Sequence, residues 1–167
     1  MNKRNRPKIE LRSNKKWLFV EAITLLLVIA YFLNLMFVWK GIPDTIPIHF
    51  NINGEVNGVG SKNWMIYLGV IDIIIYLILT WVGRFPHLAN FPVKITESNA
   101  EKQYILLRIF LKLIKLELSF YFLYIQFLMI MSIFAVQGLL RMHDFINMVI
   151  ILIITLGVYI FNSFKNS

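Results

Sequence analysis

The residues best placed to do chemistry are His49, Asn51, Asn53 and Glu55, which alternate with Ile48, Phe50 and Ile52. In a strand, that period of two puts the four polar side chains on one face and the three apolar ones on the other. His49 on such a face could carry a proton or ligate a metal. The competing structure is a strand that packs Ile48, Phe50 and Ile52 on a hydrophobic body and turns its polar edge to water. Zinc wants three or four N, S or carboxylate ligands, and one histidine among amides falls short. The alternation therefore favours the packing strand, and neither a metal nor a cofactor is expected. Pro43 and Pro47 fix their own φ and bias the preceding residues toward extended backbone. Gly54, Gly58 and Gly60 then permit tight reversals. An ordered loop is predicted, held on the helix ends by its three apolar residues, with His49 and Asn51 hydrogen-bonding mainly to backbone of the same loop.

The second candidate is Asp72, inside the apolar run Trp64 to Val82. An aspartate at the centre of a membrane helix costs about 2.5–3.5 kcal/mol on insertion scales, so it should face other helices. Its depth, roughly 12 Å from the start of the run, points to Asn34, Gln126 and Thr155 as partners. A proton- or ion-linked site and a plain helix–helix hydrogen bond both remain open. Glu21 and Glu117 read as lying near helix ends, where long side chains snorkel, so no second central carboxylate is expected. A third group is Lys102, Arg108, Lys112 and Lys115, which could meet anionic lipid headgroups or simply enforce topology. Ser61, Ser98 and Ser119 have no His–Asp grouping nearby, and no HExxH or phosphate-cradling loop is present, so no enzyme is expected.

These residues must be positioned by membrane helices. The chain is 58% hydrophobic and 16% charged, whereas soluble domains carry about 25% charged residues. Long runs without the breaks of an amphipathic helix identify lipid as the solvent. Four spans are predicted, at about 17–39, 64–82, 116–136 and 145–161, in one membrane domain (17–163) after a basic tail (1–16). Trp17 and Trp39 bracket the first as interfacial anchors. It is too long for a signal peptide. Ser98 and Glu101 form a capping box that opens a third helix of about 38 residues. At roughly 57 Å it exceeds any bilayer core. Its first half is expected to extend into the cytoplasm, with room for a kink near Lys115.

The fold class is thus all-α, with an ordered extracytoplasmic loop (40–63) able to form a short β-hairpin. The basic tail and the 84–115 region should be cytoplasmic, as should the C-terminus beside Lys165. The net charge of +8 is explained by this flanking pattern, so nucleic acid is not an expected partner; the lipid bilayer is. The absence of cysteine excludes disulfides, Cys-based zinc sites and a Cys nucleophile.

Pro47-x-His49-Phe50-Asn51-x-x-Gly54-Glu55-Val56, followed by Gly58 and Ser61-Lys62, resembles the signature of a bacterial membrane family. That family is catalogued as a domain of unknown function and also forms the N-terminal part of SdpI-type bacteriocin immunity proteins. The resemblance covers about residues 20–85. Asn90 to Thr96 and Asn99 to Tyr104 resemble a subfamily motif. The family often carries Asp where this chain has Asn57, which removes a carboxylate from the loop. The extra C-terminal helices of full-length SdpI-like proteins are not in this chain. The resemblance implies a protein of the bacterial cytoplasmic membrane that binds a peptide toxin or another membrane protein through Pro47, His49, Asn51, Asn53, Gly54, Glu55 and Lys62. The alternatives are a small ion- or proton-linked transporter or channel subunit using Asp72, with Asn34 and Gln126 as further intramembrane polar residues, or a structural accessory protein.

Overall fold

The computed structural model describes residues 6–11, 15–133 and 142–167. Four helices are long and apolar enough to cross a membrane. They are α1 (Lys15–Val38), α2 (Asn63–Arg84), α3 (Ala100–Ile133) and α4 (Met142–Lys165), with a hairpin of β1 (Thr45–Phe50) and β2 (Val56–Ser61) between the first two. Each predicted span falls on one of these helices; residues 134–136 of the third lie outside the described residues. The fourth is longer than expected, 24 residues, since nothing in its sequence breaks a helix before Asn166.

The long helix α3 is the spine of the fold. It runs for 34 residues, about 51 Å, and packs against α1, α2 and α4. Its N-terminus is capped differently from the expected Ser98–Glu101 box. Thr96 and Asn99 form the reciprocal pair instead: Thr96 N–H donates to Asn99 Oδ1 at 2.9 Å, and Asn99 N–H donates to Thr96 Oγ1 at 3.3 Å. Ser98 Oγ only meets Thr96 Oγ1, at 2.9 Å. The turn begins two residues early because Thr96 O accepts from Ala100 N–H, which closes the first helical turn there.

The buried face of each helix follows from 3–4 spacing. On α1 it is Thr24, Val28, Tyr31 and Leu35; on α2 it is Met65, Gly69 and Asp72. Tyr31, Leu35 and Met65 join Ile42, Ile46, Met129 and Ile130 in one cluster at the hairpin end of the bundle. At the opposite end, which carries most of the basic residues, Ile9 and Leu11 pack near Ile95, Ala100 and Tyr104.

Candidate functional site

The predicted strand exists, but it is shorter than the alternation suggested. β1 ends at Phe50, and Asn51 begins a turn in which Gly54 takes φ 82°, a left-handed conformation that glycine adopts without strain. The strands pair antiparallel from Thr45↔Ser61 to Phe50↔Val56, with an irregularity around His49. Gly58 faces His49 so closely that a Cβ there would sit 2.9 Å from the His49 Cβ. Because the strand stops at Phe50, Asn53 and Glu55 do not continue a single polar row.

The anchoring also differs from expectation. The hairpin is held to the bundle by Ile42 and Ile46, which are buried, whereas Ile52 sits at the tip and is 67% exposed. Ile48 and Phe50 instead form one wall of an open groove. Ile46 joins the buried cluster of Tyr31, Leu35, Met65, Met129 and Ile130, whereas the turn carries Ile52 into solvent. Lys62 locks the hairpin base. Its Nζ lies 2.9 Å from Asp44 Oδ1, donates to Ile42 O at 3.4 Å, and stands 4.9 Å from the Trp39 ring centroid.

Asn51 organises the turn much as expected. Its Oδ1 accepts the N–H groups of Asn53 and Glu55, each at 2.9 Å, and its Nδ2 donates to Glu55 Oε2 at 2.7 Å. His49 behaves differently from expectation: its Nδ1 pairs with the side chain of Asn57, at 2.5 Å, and not with loop backbone. Pro47 is half-buried in β1 and Asn53 is exposed in the turn. Asn51→Ala should therefore lower stability by about 1–2 kcal/mol, because two backbone N–H groups lose their acceptor. His49→Ala, at an exposed site, should cost under about 0.5 kcal/mol. Denaturation of the two variants side by side checks the order; a costlier His49 change would overturn it.

Asp72 is 2% exposed and faces the bundle, as its charge requires. Its partner is not among those expected. Asp72 Oδ1 accepts from Ser119 Oγ at 2.9 Å, and Oδ2 has no protein partner. Gln126 donates to Tyr31 O at 3.0 Å, and Thr155 donates to Glu117 Oε1 at 2.6 Å. Asn34 is half-buried on α1, and no side-chain hydrogen bond joins it to Asp72. Depth along a helix leaves the azimuth undetermined, and azimuth chose Ser119.

The Asp72–Ser119 bond also relocates Glu117. Two residues separate it from Ser119, a rise of about 3 Å, so Glu117 lies at nearly the depth of Asp72. It is a second central carboxylate and does not snorkel. It faces α4, with Oε2 unpartnered. Glu21 does not snorkel either: it accepts from Lys112 at 3.0 Å and from Lys115, which is 3% exposed and also donates to Thr80 Oγ1 at 2.8 Å.

The basic residues of α3 were expected to meet lipid headgroups or only to set topology. Lys102 is exposed, but Arg108, Lys112 and Lys115 turn toward the bundle and the chain's N-terminal segment. Arg108 donates to Leu11 O at 3.2 Å and Lys112 to Trp17 O at 3.1 Å. Arg108, Lys112, Lys115, Ser119 and Gln126 follow 4, 3, 4 and 7 spacing, a single helical stripe. That spacing was the signal for Ser119, which reasoning from depth alone missed.

The geometry defines a multi-pass helical membrane protein with a rigid hairpin on one end and a buried polar lane through the bundle. Residues 25–71 match the family described as Domain of unknown function (DUF1648), a stretch that takes in most of α1, the whole hairpin and the first half of α2. No curated protein and no solved structure matches the chain.

Proposed function

We propose that the chain is a non-enzymatic binding protein of the bacterial cytoplasmic membrane that captures a membrane-active peptide at its outer surface. In this reading the termini and the 84–115 segment face the cytoplasm and the hairpin faces out, as the flanking charges require. The observation that carries it is an apolar groove of about 410 Å³ between the hairpin and the helix ends, lined by Ile48, Phe50, Trp64, Leu68, Ile125 and Met129. One wall belongs to a hairpin clamped at its base by Lys62 and Ile46, so the groove is held open in advance of binding. Preorganisation of this kind reduces the ordering cost of association. An extended or helical peptide at the interface could seat apolar side chains there while its polar groups meet Asn51, Asn53 and Glu55. The resemblance to SdpI-type proteins supports the same immunity role.

A second reading rests on the unpartnered Asp72 Oδ2 and Glu117 Oε2, two half-satisfied carboxylates at one depth, which favour ion- or proton-linked transport. One experiment separates the two. A sensitive bacterial host expressing the chain is challenged with membrane-active peptides, and Phe50→Asp and Asp72→Asn variants are compared at equal membrane levels. Peptide capture predicts that Phe50→Asp abolishes protection and Asp72→Asn retains it. The reverse pattern assigns the function to the polar lane, and protection that survives Phe50→Asp sinks the groove.

A further inference from the structure

α1 and α2 touch closely toward the hairpin end, where Tyr31 Oη donates to Met65 O at 2.6 Å and Gly69 lies against the Tyr31 and Phe32 rings. Toward the basic end a cavity of about 410 Å³ opens between α1, α2 and α3. Its polar wall holds Glu21 of α1, Thr80 and Arg84 of α2, and Arg108, Lys112 and Lys115 of α3. Four cations thus face one carboxylate, and that carboxylate is already engaged by the two lysines.

The uncompensated charge rests on the arginines. Arg84 makes no hydrogen bond or ion pair among the described residues. Arg108 uses one Nη on Leu11 O, which leaves most of its five N–H donors without a partner among the described residues. A second hollow of about 530 Å³ shares Gly83, Arg84 and Arg108 and also takes in the exposed Glu10, which makes no ion pair with either arginine, so the two guanidinium groups stand between two accessible spaces. Leu79, half-buried, and Leu111, buried, give the same cavity an apolar wall. Arg84 is the last residue of a 22-residue span, which puts it at headgroup depth.

We infer that this cavity binds the phosphate of an anionic phospholipid from the leaflet at the basic end, with Arg84 and Arg108 as its two guanidinium ligands. Guanidinium groups match phosphate oxygens in paired, charge-assisted hydrogen bonds. Basic pockets between membrane helices are suited to such headgroups. A lipid enters from the side, with the first part of an acyl chain against the half-buried Leu79. A soluble phosphate offers the same oxygens but nothing for the apolar wall.

The test uses the full chain, delipidated in uncharged detergent, with lipid retention read by native mass spectrometry. Phosphatidylglycerol should bind at least about tenfold more tightly than phosphatidylcholine. Arg84→Gln should reduce that preference severalfold, and Arg84→Gln with Arg108→Gln should remove it. Arg84→Gln breaks no side-chain hydrogen bond or ion pair among the described residues, so it keeps the measurement independent of folding. Lys102→Gln, on the exposed first turn of α3, should leave the preference intact. Equal retention of the two lipids, or a preference that survives the double change, overturns the site. Inorganic phosphate binding on its own while phosphatidylglycerol shows no preference would assign the anion to solution and overturn the lipid reading.

Discussion

Glu21→Ala should destabilise the bundle by about 3–5 kcal/mol, the range for removing one partner of a buried ion pair. The reason is Lys115. Its side chain is 3% exposed, and Glu21 is its only carboxylate partner among the described residues. Without Glu21 the ammonium retains Thr80 Oγ1 at 2.8 Å and the Tyr76 ring, whose centroid is 4.6 Å away. Those contacts are too weak to balance a full charge removed from water. Lys112 loses the same partner but is more exposed and keeps Trp17 O. Adding Lys115→Met to Glu21→Ala should recover most of the loss, because the uncompensated charge is then gone. Unfolding in mixed micelles, run as a double-mutant cycle, reads the coupling directly. Purely additive effects of the two changes would refute the pair as a structural unit.

Gly69→Leu should cost about 3 kcal/mol or more by driving α1 and α2 apart. A Cβ at position 69 would lie 2.6 Å from Tyr31 Cε1 and 2.8 Å from Phe32 Cζ. The Tyr31 ring cannot yield readily, since it is buried and its hydroxyl is tied to Met65 O. Glycine-mediated close approach of this kind recurs between membrane helices. Gly69→Ala gains about 1 kcal/mol of helix propensity against overpacking of about 1–3 kcal/mol, so its net effect should be smaller. Gly157, with nothing within 4 Å of its Cβ position, is the control: Gly157→Ala should be neutral or mildly stabilising. Thermal unfolding in detergent ranks the three. A Gly69→Leu protein as stable as the parent would show that the contact between α1 and α2 does not matter to the fold.

The elements were largely legible in the chain itself. Uninterrupted apolar runs of about 20 residues between interfacial aromatics read as membrane helices, because a single segment of that length satisfies its own backbone polar groups in lipid only as a helix. The alternation from Ile48 to Ile52, with Gly54 after it, announced a hairpin because strand periodicity and a left-handed turn residue are local properties. Asn51 was recognisable for the same reason: an Asx side chain bonds the backbone two residues on. Even the polar stripe of α3 from Arg108 to Gln126 is written in its spacing.

What the chain alone left open was which stripe meets which. Depth pointed to Asn34, Gln126 and Thr155 as partners of Asp72, and only the packing of α3 against α2 selected Ser119. Glu117 resembled a snorkelling end residue until that same contact set its level, and the packing of α4 on α3 then supplied Thr155. Ile46 became the anchor and Ile52 the exposed tip because the hairpin pivots where Lys62 holds it, a constraint that joins residues 42, 44 and 62. The basic cavity needed Arg84 and Arg108, 24 positions apart on different helices, to be brought to one rim. Local periodicity decides what each helix offers to its neighbours. Helix azimuth and crossing are collective properties of the packed bundle, and they decided which polar groups were paired, which were left half-satisfied, and where charge was left to receive a partner.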